Sequence, residues 1–283
     1  MIPLRGLGAG VLRRFKMVCT IEAIRILYRH RELLWSLTIR DLKGRFSGSM
    51  LGFYWAILHP FMLISIYLIV FTFVFKVRLG GENSGFEYAL FAGTGLVPWL
   101  GFVEAASRSN TALTSQANLV KRVIFPIEIL PAQVILSSLI TQLVGITIVS
   151  LIALFVAKKL SLMVILLPFT VLMQAIFCLG LAWFLASINV FFRDTKEIVQ
   201  ALLTVGLFVT PILYSEVMVP PSLALLLAFN PITHLIHMYR DVLFYGQMLH
   251  PWSFGIFSML ATLFFLGGYT FFVKTKIVFS DLL

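Results

Sequence analysis

The sequence is poor in charge. Asp, Glu, Lys and Arg make up 12% of its 283 residues, against about 25% in a soluble domain. The interval Leu160–Phe192 runs for 33 residues without an acid, a base or a histidine. About 20 apolar helical residues cross a bilayer, so this run is too long and too apolar for a surface helix. With 60% hydrophobic residues and a mean hydropathy of +0.98, the composition excludes a soluble fold and leaves a polytopic membrane protein. The 27 Phe suit surfaces that face lipid or other helices.

Other absences narrow the chemistry. There are two cysteines, Cys19 in a basic N-terminal segment and Cys178 inside an apolar run. They imply neither a disulfide nor a metal site, and no pair of His or Cys stands at zinc spacing. No G-x-x-x-x-G-K-[ST] loop is present, so the chain has no P-loop to cradle ATP phosphates. No G-x-S-x-G elbow is present to seat a hydrolase serine. Arg5, Arg13, Arg14 and Lys16 interrupt the first 20 residues, so no cleavable signal peptide is expected there. The last four apolar stretches carry no Asp, Glu, Lys or Arg in their interiors, whereas ion- or proton-driven carriers place such groups within the membrane. His59, near the start of the first stretch, reads as a helix-packing residue. No catalytic, cofactor-binding or metal-binding residue is assigned, and the energy for any transport is expected from elsewhere.

Six apolar stretches are read as membrane spans, at about 53–75, 86–106, 132–157, 162–190, 198–215 and 252–273. The second is weakened by Gly93, Gly95, Pro98 and Gly101, which membrane helices tolerate when neighbours cover the freed backbone groups. Placing the N-terminus inside puts 17 Lys and Arg on the cytoplasmic side and 5 outside. That bias orients the chain with both termini in the cytoplasm. Three regions follow: a cytoplasmic N-terminal region (1–52), a membrane domain (53–273) and a short tail (274–283).

The net charge of +10 suits an anionic lipid surface better than nucleic acid. Ten of the 22 Lys and Arg precede Gly52, among hydrophobic residues, and no aromatic nucleic-acid motif accompanies them. Trp35, Ile39, Leu42 and Phe46 fall on one helical stripe, flanked by Lys43 and Arg45, which can snorkel. Arg40 and Asp41 face away from it, and Leu33, Leu34 and Leu37 lie off it. This segment reads as an amphipathic helix on the inner membrane surface. Trp35, Arg40, Lys43 and Arg45 are its interface residues. The three cations could equally anchor it to anionic lipid or meet a pyrophosphate headgroup.

Two further segments are informative. Residues 216–251 are apolar but broken by Pro220-Pro221 and Asn230-Pro231. The eight residues between the breaks span only about 12 Å as a helix, so the region, with Arg240 in its second half, reads as a re-entrant hairpin on the outer side. Ser107–Pro131 reads as a docking surface or a solvated connector. A short helix through Leu113–Val123, stopped by Pro126, would project Lys121, Arg122 and Phe125 toward the cytosol, as helix-in-groove binding uses. Tyr54, Trp55, Tyr67, Trp99, Phe102, Trp183 and Tyr214 are ordinary anchoring and packing aromatics, and all but Trp183 are also candidates to line a passage over which sugar faces slide.

Taken in order, the segments RDLKGRFSGSMLGFYWAILHPF (40–61), LVPWLGF (96–102), NLVKRVIFPIEILP (118–131), NVFFRDTKEI (189–198), TPILYS (210–215) and NPITHLIHMYRDVLFYG (230–246) resemble the permease subunits of ABC transporters that export polysaccharides or polyol phosphates. The family includes O-antigen, capsule and teichoic-acid exporters. The resemblance implies an all-α protein of the bacterial inner membrane, with six spans, an interface helix and a re-entrant outer hairpin. It implies a homodimer with two ATP-binding-cassette ATPase subunits, which use the ATP and Mg, and a lipid-linked glycan as cargo. The coupling helix would lie within 107–131, with Asn118, Lys121, Arg122, Phe125 and Pro126 at the ATPase. Two alternatives stand beside this reading. One is a permease of the same superfamily for a drug or small lipid. The other is a glycan-modifying enzyme using His234, His237, Arg240 and Asp241.

Overall fold

The computed structural model describes residues 21–45, 52–70, 85–122, 125–155, 161–216 and 219–283. The described chain is a bundle of helices: α1 (21–29), α2 (Arg31–Arg45), α3 (Trp55–Ile69), α4 (Gly85–Asn110), α5 (Ala117–Arg122), α6 (Ile129–Phe155), α7 (Leu167–Phe191), α8 (Thr195–Val209), α9 (Pro221–Phe229), α10 (Pro231–Arg240), α11 (Pro251–Thr275) and α12 (Phe279–Leu282). Among the described residues there is no strand. Lys76, Arg78, Lys158, Lys159, Cys19 and Phe46 lie outside the described residues, as does the end of the first expected span.

A helix occupies each of the six expected stretches. Four of them, around α4, α6, α7 and α11, are long and apolar enough to cross a membrane. The helices α3 and α8 have 15 residues each, a rise of about 22 Å against a hydrocarbon core of about 30 Å. Local signals account for the boundaries. Ser161 caps the 3-10 turn Leu162–Leu166 that leads into α7, Pro168 stands in the first turn of α7, and Pro251 opens α11. Asn230 ends α9 and caps α10 by accepting the Ile232 N–H at 3.0 Å.

The core is α4, α6, α7 and α11. Between α7 and α11 the backbones touch: a Cβ on Gly268 would collide with the Gly180 carbonyl, and one on Gly180 with the backbone of Phe264–Phe265. Lipid offers helices no hydrophobic gain from associating, so close approach at small residues and interhelical hydrogen bonds hold such pairs. Trp183 fills the space beside that contact. It is fully buried, packs on Phe265 and Tyr269, and donates its indole N–H to the Glu128 carbonyl at 3.1 Å.

At the middle of the bundle Gln142 (α6), Gln174 (α7) and Tyr239 (α10) form a buried polar triangle. Gln142 and Tyr239 both donate to Gln174 Oε1 at 2.7 Å, and Gln174 donates to the Pro98 carbonyl at 3.0 Å. Buried amides are costly unless paired, so these bonds tie four helices to one register.

Helix α2 forms where the basic amphipathic segment was expected, but with a different face inward. Leu34, Leu37, Thr38 and Leu42 are buried, Leu34 and Leu37 toward α6, while Trp35 is 57% exposed. The expected stripe of Trp35, Ile39 and Leu42 is therefore split between a protein-facing and an outward side. Leu34 and Leu37, off that stripe, carry the packing.

Candidate functional site

Three groups of residues stand out, at separate places in the bundle. The first lines a cavity of about 490 Å³ between α2, α3, α4, α6 and α8. Arg45, at the end of α2, does not snorkel toward a membrane surface. It enters this cavity wall, pairs with Glu104 of α4 and with Asp41 at 3.2 Å, and donates to Ser137 at 2.6 Å and Thr141 at 3.3 Å. Arg108, one turn after Glu104, reaches Asp41 at 2.6 Å and Ser137 at 3.3 Å. Two guanidinium groups thus face two carboxylates, and Asp41 belongs to the cluster rather than to the solvent side. Arg40 and Lys43 stay exposed.

The opposite wall carries Trp55, Leu63 and Gln200. A second cavity, of about 190 Å³, lies between α4 and α8 and shares Leu100, Val103 and Gln200 with the first. Of the aromatics expected along a passage, Trp55 borders the first cavity and Trp99 the second. Phe102 instead packs between Trp99 and Phe177 in the core. Tyr54 is exposed away from both cavities. Tyr214 donates its hydroxyl to the Phe208 carbonyl at 3.0 Å, closing the end of α8. The Tyr67 side chain lies outside the described set.

The second group is the segment expected to dock a partner. After α4, a 3-10 turn (Thr114–Gln116) leads into α5, close to the expected short helix. Asn118 and Lys121 are exposed. Phe125 does not project outward. It is half-buried and packs against two core clusters, one around Leu113, Leu130 and Trp183 and one around Leu34, Leu37 and Ile129. The Arg122 side chain lies outside the described set. The C-terminal segment fastens this end: Lys276 meets the buried Glu128 carboxylate at 2.7 Å.

The third group is the broken hairpin. Helices α9 and α10 meet at Asn230-Pro231, and α10 continues as one π-helical turn (Asp241–Tyr245) that ends at Gly246, whose φ is 65°. Pro220 precedes α9 in an extended conformation, and the Pro221 side chain lies outside the described set. Arg240 is buried, donates to the Ile212 carbonyl at 2.8 Å and lies 3.7 Å over the Phe91 ring. It pins the hairpin to α4 and to the segment after α8, so it is not free for chemistry. Asp241 accepts the His250 backbone N–H at 2.8 Å and faces His250 Nδ1 at 2.9 Å. That hydrogen bond holds the His250 pKa above its ordinary value. Near it, His237 stands beside both Glu216 and His250.

Sequence reasoning singled out His234, His237 and Asp241 but missed Glu216 and His250. These are 21 and 13 residues from His237, and only the hairpin fold brings them together. Ion pairing was missed in the same way. The placement of Glu104 and Arg108 one helical turn apart, at the end of an apolar stretch, was the available signal; nothing local pointed to Arg45.

Comparison with known proteins places the chain. Residues 32–244 match the ABC-2 type transporter family. The chain is 34% identical over 231 residues to the O-antigen export system permease protein RfbA of Myxococcus xanthus, covering 81% of this chain and 86% of the relative. It is 27% identical over 259 residues to the protein of the same name from Klebsiella pneumoniae, with 89% and 95% covered. It is 23% identical over 236 residues to the polysialic acid transport protein KpsM of Escherichia coli, with 81% and 88% covered.

Proposed function

This chain belongs to the ABC-2 type transporter family, and we propose that it is the channel-forming permease subunit of an exporter of lipid-linked polysaccharide. The observation that carries the reading is the extent of likeness to O-antigen export permeases, which takes in most of this chain and most of each relative. A drug or small-lipid permease has no comparable support.

In this reading two copies assemble in the bacterial inner membrane, both termini are cytoplasmic, and two separate ATP-binding-cassette subunits hydrolyse ATP. The exposed Asn118 and Lys121 on α5 offer the docking surface, and Phe125 and Pro126 support it from inside. ATP binding in the partner can shift the permease only by favouring one of its arrangements over another. Fastening α5 to α12 and to Glu128–Lys276 gives docking a mechanical route into α6 and α11.

The two adjoining cavities walled by α4 and α8 supply apolar and aromatic surface, and the charges in the wall, Arg45, Glu104 and Arg108, are paired with one another or with Asp41. Weak, repeated contacts of that kind suit a polymer that must leave as readily as it enters. Arg40 and Lys43 are placed for an anionic headgroup. Arg45 is committed to Asp41 and Glu104, so it stabilises the α2 end instead. The test is deletion in the native host. Loss of surface glycan with lipid-linked glycan accumulating inside, restored by the wild-type gene, supports the reading; unchanged surface glycan refutes it.

A further inference from the structure

Glu216, His237 and His250 offer one ligand atom each, and these three atoms all lie within 4.8 Å of one another. We propose that they form a binding site for a divalent transition-metal ion of the zinc class, which clamps the hairpin to the bundle.

The hydrogen bonds around the cluster set its chemistry. His234 Nε2 lies 2.9 Å from the Ala228 carbonyl, which can only accept, so that nitrogen carries the proton. His234 Nδ1 is then an acceptor, and Ser253 donates to it at 3.1 Å. Ser253 Oγ in turn accepts from His237 Nδ1 at 3.0 Å. In the neutral ring this leaves the lone pair of His237 Nε2 pointing at Glu216, a carboxylate that is also an acceptor. Two acceptors face each other, and a cation between them resolves the conflict. The third lone pair comes from His250. Its Nδ1 donates to Asp241, so Nε2 is the free nitrogen, and its ring stacks on His237 at 4.2 Å between centroids.

This is the arrangement found around zinc histidines. Each ligand ring is fixed by a hydrogen bond from its other nitrogen, here to Ser253 and to the buried Asp241, which sets the tautomer. Two imidazoles and a carboxylate suit zinc or its neighbours rather than calcium or magnesium. With the three ligand atoms within 4.8 Å of one another, zinc bonds of about 2.0–2.2 Å are reached by adjustment of the side chains at the cavity edge. The cluster borders a cavity of about 270 Å³, which leaves room for a water in the fourth position. Thr233, buried in the same wall, has a hydroxyl without a hydrogen-bond partner.

The three ligands come from separate segments: the loop after α8, the second hairpin helix and the residue before α11. A bound ion cross-links them. The inference concerns this chain alone and does not depend on what the protein transports.

The test uses the untagged full chain in lipid nanodiscs, stripped with chelator and titrated with Zn2+, with Co2+ as the spectroscopic probe. The expected result is one Zn2+ per chain, a visible Co2+ spectrum of low coordination number, and a rise in Tm with Zn2+. Glu216→Gln and His250→Ala should weaken binding at least tenfold, and Asp241→Asn about 10- to 100-fold through the ligand it orients. His30→Ala, far from the cluster, should bind as the wild type does. No bound Zn2+ in the folded wild-type chain overturns the proposal. So does unchanged affinity in both Glu216→Gln and His250→Ala.

Discussion

Arg45 of α2 is ion-paired with Glu104 of α4, 59 residues further along the chain. A segment that reads as a detached surface helix is thereby bolted to the membrane bundle. With side-chain exposures of 16% and 25%, the pair is only partly open to water, so screening by salt reduces it less than a surface pair. Arg45→Ala leaves Glu104 with Arg108, at 3.6 Å, as its remaining ion-pair partner. We expect a loss of about 1 kcal/mol, below the cost of stranding a fully buried group, because water reaches Glu104. The double replacement Arg45→Met with Glu104→Met should recover much of it, since an apolar pair leaves no charge stranded. Thermal unfolding of the nanodisc-embedded variants decides; equal Tm values for the single variant and the wild type would remove the bolt.

Gly267 and Gly268 provide a matched pair. A Cβ at Gly268 runs into the Gly180 backbone, whereas one at Gly267 meets nothing. Gly268→Leu should separate α7 from α11 and cost about 1–3 kcal/mol or more through overpacking. Gly267→Leu should be tolerated. Monodisperse yield on size exclusion is the readout, and equal yields would mean the two helices are not packed as described.

The triangle of Gln142, Gln174 and Tyr239 is expected to fail at its centre. Gln174→Leu removes the acceptor shared by the Gln142 amide and the Tyr239 hydroxyl and leaves them only their mutual contact at 3.1 Å; we expect a cost of about 1–3 kcal/mol. Tyr239→Phe removes one donor to Gln174 and the weaker of the two acceptors of Gln142, leaves the Gln142–Gln174 bond intact, and should cost less. Finding the Tyr239→Phe protein the less stable of the two by thermal unfolding would show that Gln174 is not the hub.

For coupling, Lys121→Glu reverses the exposed charge on α5 while leaving the packed Phe125 in place. Co-purification with the ATPase partner should drop about tenfold, equivalent to about 1.4 kcal/mol. Phe125→Ala should instead lower the stability of the chain itself. Undiminished complex yield and ATPase stimulation in the Lys121→Glu protein would take α5 out of the interface.

Much of this architecture is written locally. Apolar runs mark the long helices, Pro126, Pro220-Pro221 and Asn230-Pro231 mark the breaks, and the short helix before Pro126 follows from spacing. These features depend on a few consecutive residues. The inward face of α2 does not. Periodicity showed a stripe of Trp35, Ile39 and Leu42, but lipid and a neighbouring helix both accept apolar side chains. Only α6 decides that Leu34 and Leu37 turn inward. Phe125 is a similar case, since nothing near it in sequence announces the buried clusters it packs against, whose members include Leu34 and Trp183. The destinations of Arg45 and Arg240, and the meeting of Glu216, His237 and His250, rest on contacts across tens of residues, where no local pattern reaches.

The most direct measurement reconstitutes the purified permease in liposomes loaded with lipid-linked glycan, with and without the ATP-binding-cassette partner. Glycan should appear on the far side only when the partner and hydrolysable ATP are both present, and a proton or sodium gradient should not replace them. Export by the isolated chain down such a gradient would contradict the account.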